Sequence, residues 1–126
     1  MNFDQAPEFA KELKRLSKKW RRLPEDLAVL RSAITTLYRG ANDLPATHIR
    51  EAFFSTKKGA MLTVLSPSSE VVKVRFDSQD LNSDKLRVVY VQRGEDVLFI
   101  ELFAKNEKTR ENQERITKYI KQDYQK

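Results

Sequence analysis

Apolar residues recur from the start of the chain at helical spacing. Phe9, Leu13, Leu16 and Trp20 fall at intervals of 4, 3 and 4, which predicts a helix over 5–21. Leu27, Leu30, Ile34 and Leu37 continue at 3, 4 and 3. Pro24 suits the first turn of this second helix, with Glu25 and Asp26 favourable near its N-terminus. Gly40 is a suitable residue to end it. Two antiparallel helices joined by a tight connection are the simplest arrangement. Residues 40–60 then lose the period. Gly40, Asn42, Asp43, Pro45 and Gly59 read as loop, with a short apolar piece at Ala52-Phe53-Phe54.

The second half changes period. Met61–Leu65 is a short apolar run closed by the turn signal Ser66-Pro67-Ser68-Ser69. Val71–Phe76 alternates, with Val72, Val74 and Phe76 on one face and Val71, Lys73 and Arg75 on the other. Leu86–Val91 is rich in β-branched residues, and Gly94-Glu95-Asp96 marks a hairpin leading into Val97–Phe103. A last helix is expected from Thr109, with Ile116, Tyr119 and Ile120 as its apolar positions. Helices followed by three or four antiparallel strands and a C-terminal helix predict an α+β fold. At 126 residues a single domain, 1–126, is expected.

Composition removes whole classes of chemistry. With no Cys there is no disulfide, zinc ribbon or thiol nucleophile, and a single His, His48, excludes a His-rich metal site. Three Gly leave no room for a glycine-rich phosphate loop, and GxSxG and HExxH are absent. Neither a cofactor nor a metal is expected. No apolar run approaches the roughly 18 residues of a membrane span, and the N-terminus carries no secretory h-region, so a cytoplasmic setting is expected.

The net charge of +6 is concentrated. Lys11, Lys14, Arg15, Lys18, Lys19, Arg21 and Arg22 lie between Glu8 and Arg22, against two acids. Seven more basic residues lie between Lys105 and Lys126, against four acids. Solvated helix faces account for such clusters in part. Two of them in one small domain also suit a nucleic-acid surface, where phosphate neutralisation dominates binding. Trp20, inside the first cluster, belongs to the apolar stripe, and base stacking is its alternative use.

Lys73 and Arg75 leave one face of their strand, and pairing brings Arg87 alongside them. Three converging cations repel one another, which an anion between them would relieve; an ordinary polar sheet face is the plainer account. Lys105, Glu107 and Lys108 follow the last strand. Such a face can cleave RNA without metal, because the substrate 2′-hydroxyl is the nucleophile. The protein then aligns the chain, stabilises phosphate charge and moves protons. Arg suits bidentate phosphate contact, while a Lys with a lowered pKa or Glu107 could act as general acid or base.

These residues coincide with a known pattern. The stretches FAKELKRLSKKWRRLPEDL, VVKVRF, LRVVYV and VLFIELFAKNEK resemble the RelE/ParE superfamily of toxins from bacterial type II toxin–antitoxin modules. The resemblance runs from Phe9 to about Ile120, with an atypical insertion at 40–69. It implies a RelE-like (RelE/HigB-like) antiparallel sheet flanked by helices. It further implies a metal-independent mRNA endonuclease acting in the ribosomal A site, inhibiting translation and neutralised by a cognate antitoxin. It maps RNA-binding and catalytic roles onto Lys73, Arg75 and Arg87. Asn106 stands where the RelE pattern has Arg, and Asn112 stands near the position of its catalytic Tyr. Lys105, Glu107 and Lys108 are therefore the candidates for the general acid. The alternatives are a ParE-like toxin that poisons gyrase and a basic RNA- or ribosome-binding module without chemistry. Large apolar residues at Trp20, Phe53 and Phe54 are candidate antitoxin contacts.

Overall fold

The computed structural model describes residues 1–41, 43–56, 58–76 and 86–124, and these form an α+β fold. The elements in chain order are β1 (Asn2–Gln5), α1 (Pro7–Lys19), α2 (Leu23–Arg39), α3 (Ala46–Ser55), β2 (Gly59–Ser66), β3 (Ser69–Phe76), β4 (Leu86–Arg93), β5 (Asp96–Ala104) and α4 (Gln113–Tyr124). One sheet carries all five strands in the order β1-β5-β4-β3-β2. The neighbours from β2 to β5 pair antiparallel, while β1 pairs parallel to β5, with Asn2 beside Asp96. The sheet is thus five-stranded and mixed, which corrects the expected three or four antiparallel strands. β1 escapes sequence reading because its four residues, Asn-Phe-Asp-Gln, carry no alternating apolar pattern.

The helical stripes are where the periodicity predicts. Phe9 and Leu16 of α1 and Leu27, Leu30, Ile34 and Leu37 of α2 are buried. Each such side chain contributes roughly 1.5–3 kcal/mol relative to exposure. Trp20 is 5% exposed and belongs to the core, where it is out of reach of a base or an antitoxin. Gly40 ends α2 at φ 79°, a left-handed conformation that suits glycine.

The stretch 40–60, expected as loop, instead holds α3 and the start of the edge strand β2, which contains the expected apolar run Met61–Leu65 and turns into β3 across Pro67-Ser68. The contact between α3 and β2 depends on a missing side chain. A Cβ on Gly59 would lie 2.0 Å from the Phe53 ring, so any side chain there would force the ring to move. Phe53 and Phe54 meet edge to face and are half-buried against the core.

The strand register sorts the sheet into two faces. On one lie Glu70, Val72 and Val74 of β3, Val88, Tyr90 and Gln92 of β4, and Phe99 of β5. α1 and α2 cover this face: Phe9 stacks on Phe99 at 5.2 Å, and Tyr38 meets Tyr90 edge-on. A polar network closes the α2–α3 side. Arg50 donates two hydrogen bonds to Glu70, at 2.9 and 2.7 Å, and the Tyr38 hydroxyl donates a third at 2.7 Å. Burial, the neighbouring Tyr90 hydroxyl and the Glu70 carboxylate all push the Tyr38 pKa upward. The other face carries Lys73, Arg75, Arg87, Val89 and Phe103.

Candidate functional site

The cationic face is ordered by register. Arg75 stands directly opposite Arg87, and Arg87 opposite Phe103, which makes one row across three strands. The next row is Lys73, Val89 and Glu101. Phe99 and Glu101 are two residues apart and in a regular strand would share a face. A bulge between them pairs Phe99 with Tyr90 but Glu101 with Val89, and so moves the carboxylate to the cationic side. Sequence reasoning misses Glu101 because its strand, VLFIELF, otherwise reads as core.

Glu101 is fully buried. It accepts hydrogen bonds from the Lys108 ammonium and from the backbone N–H of Asn112, the latter at 2.8 Å. Lys108 also lies 5.1 Å from the centre of the Phe103 ring. Glu101 thereby ties the chain between β5 and α4 onto the sheet. Glu111, from the same segment, pairs with Lys73 at 3.0 Å. Burial opposes ionisation of Glu111, but its own backbone N–H and Lys73 outweigh it and hold its pKa below the ordinary value. Glu111 is thus an ionised carboxylate in contact with Lys73, and nothing in its local sequence marks it.

The expected residues divide into bound and available groups. Lys73 and Lys108 are held by Glu111 and Glu101. Glu107 is turned to Arg15 of α1, 2.8 Å away, and so is engaged outside the cationic row. Arg87 is 5% exposed and donates to the carbonyl of Leu86 at 3.0 Å. Arg75 and Lys105 have no ion-pair or hydrogen-bond partner for their side chains among the described residues. Together with Lys73, Gly59 and Ala60 they line an open recess of about 440 Å³. His48 lies exposed on α3 and does not line this recess. No cluster of three or more metal-ligating side chains occurs among the described residues. No described helix is long and apolar enough to cross a membrane.

This arrangement suits an anion with several oxygens. Arg75 offers a planar pair of donors, Lys105 a mobile ammonium, and Lys73 a third charge fixed by Glu111. A phosphodiester seated among them would meet positive charge from Arg75, Lys105 and Lys73. No family model, curated protein or solved structure matches the chain.

Proposed function

We propose that the chain is an RNA-cleaving toxin of a type II toxin–antitoxin module, acting on mRNA without metal and restrained by a cognate antitoxin. The observation that carries this reading is the recess in which Arg75 and Lys105, both without partners among the described residues, meet Lys73 beside Arg87. The residue pattern shared with the RelE-like family supports it. The substrate 2′-oxygen attacks the adjacent phosphorus, and the bond from phosphorus to the 5′-oxygen breaks. A 2′,3′-cyclic phosphate and a free 5′-hydroxyl result. Arg75 and Lys73 stabilise charge on the non-bridging oxygens. Glu111, already ionised, takes the proton from the 2′-hydroxyl, and Lys105 delivers one to the leaving 5′-oxygen. Glu107 has no part in this scheme because its pair with Arg15 turns it toward α1, outside the cationic row.

One observation favours a second reading, an RNA- or ribosome-binding module without chemistry. Two of the three expected acid–base candidates, Glu107 and Lys108, are committed to ion pairs. Primer extension on cellular mRNA after brief induction separates the readings. Cuts within coding regions with wild type, absent with Arg75→Ala and Lys105→Ala, are expected. Intact mRNA with arrested translation would favour the binding module. Intact mRNA with a DNA-damage response would favour gyrase poisoning.

A further inference from the structure

The outer face of α1 carries Lys11, Lys14 and Lys18, all exposed. At 3.6 residues per turn they fall within an arc of about 60°, opposite the buried stripe of Phe9 and Leu16. Such a helix ordinarily carries its own neutralising acids at neighbouring turns. α1 has two, Glu8 and Glu12, and α4 takes both. Glu8 accepts hydrogen bonds from the Tyr119 hydroxyl and, at 3.1 Å, from Lys118. Glu12 accepts from Arg115 at 2.8 Å and from the backbone N–H of Leu102 at 3.0 Å. The one other cation of this helix face with an acid, Arg15, finds it in Glu107. Lys11, Lys14 and Lys18 have no ion-pair or hydrogen-bond partner among the described residues. Docking of α4 thus strips α1 of negative charge and leaves a ridge of like charges along about two turns of helix.

We propose that this ridge is a second, separate contact for RNA, binding the phosphate backbone of a duplex region while the recess engages a single strand. α1 covers the sheet face opposite the recess, so one protein would hold folded RNA on one side and a flexible segment on the other. The Arg15–Glu107 pair joins the two surfaces, since Glu107 lies two residues beyond Lys105. This inference rests on the reading of the protein as RNA-directed, but it does not require cleavage.

The test is binding of a short blunt RNA duplex, and of a DNA duplex of the same sequence, across a range of salt. The Lys11→Gln/Lys14→Gln/Lys18→Gln protein is expected to bind the RNA duplex at least about tenfold more weakly at low salt. Its logarithmic salt slope should be shallower by about 2 to 3, the value for three lost phosphate contacts. The corresponding triple Lys→Arg protein should bind like wild type, which separates charge from fold. Arg75→Ala should keep duplex binding while losing single-strand cleavage. An unchanged slope in the triple Gln protein would overturn the proposal, as would a DNA duplex bound more tightly than the RNA. Loss of duplex binding on mutation of the ridge, with cellular mRNA left whole, would retain this surface and remove the nuclease.

Discussion

Arg75 and Arg87 face each other in register across β3 and β4. Like charges directly opposite on a sheet destabilise it, by an amount comparable to the 0.2–1 kcal/mol that favourable pairs contribute, roughly. Arg87 is buried and Arg75 half-buried.

Two substitutions should therefore behave oppositely. Arg75→Ala is expected to keep or slightly raise stability, by up to about 1 kcal/mol, while abolishing RNA cleavage. Arg87→Ala removes a buried side chain packed beside Phe103 and is expected to lose about 1–3 kcal/mol. Urea denaturation of both variants, with primer extension of the first, checks this. A marked loss of stability in Arg75→Ala would make that residue structural.

Glu101 anchors the segment that brings Lys105 to the recess and Glu111 to Lys73. Glu101→Ala leaves Lys108 and the Asn112 N–H without their acceptor. A loss of about 2–3 kcal/mol is expected, together with faster hydrogen exchange across 105–112. Glu101→Gln keeps an acceptor oxygen and should recover part of both. Equal protection of this segment in wild type and Glu101→Ala would show that it is held by other contacts.

The network around Glu70 joins α3 to the sheet. Tyr38→Phe removes a donor to Glu70 and the link to the Tyr90 hydroxyl, at an expected cost of about 1–2 kcal/mol. Arg50→Ala takes away both guanidinium bonds and should cost more, with α3 loosening first. Thermal melts rank the two, and proteolysis between Ala46 and Ser55 reports on α3.

Acid sensitivity should trace to the α1–α4 contact. The Tyr119 hydrogen bond, assisted by Lys118, holds the Glu8 pKa down from 4.5 to about 2. A carboxyl depressed by folding contributes its stabilisation above its unfolded pKa and loses it as pH falls through the folded value. Glu8→Gln should therefore flatten the fall in melting temperature between about pH 4.5 and 2, relative to wild type. The partner titrates at the other extreme. Burial and Glu8 raise Tyr119 to about 12, so its contribution is complete below pH 10 and lost toward 12.

The legible parts of the fold are those with strong local periodicity. The α2 stripe is buried at every predicted position, and the alternation in β3 assigns Lys73 and Arg75 to one face. α3 was not legible: ten residues without a buried side chain give too weak a stripe. β1 has its partner 94 positions away, a relationship no local pattern records. In the site, the cations could be read from strand parity. Glu101 could not, because a bulge decides its face, and the pairing of Glu107 with Arg15 could not, because a position in a turn does not reveal a partner on α1.

The parallel pairing of β1 with β5 also sets a timetable. At about 5–20 residues per second, the first strand waits roughly 5–20 s on the ribosome before Asp96–Phe99 exist to receive it. During that interval Phe3 lacks Phe99, against which it finally stacks, and the edge of β5 has yet to be made. Completion of the sheet is therefore a late event in synthesis. A chain halted before residue 96 would carry its whole N-terminal helical region with no strand on which β1 could close.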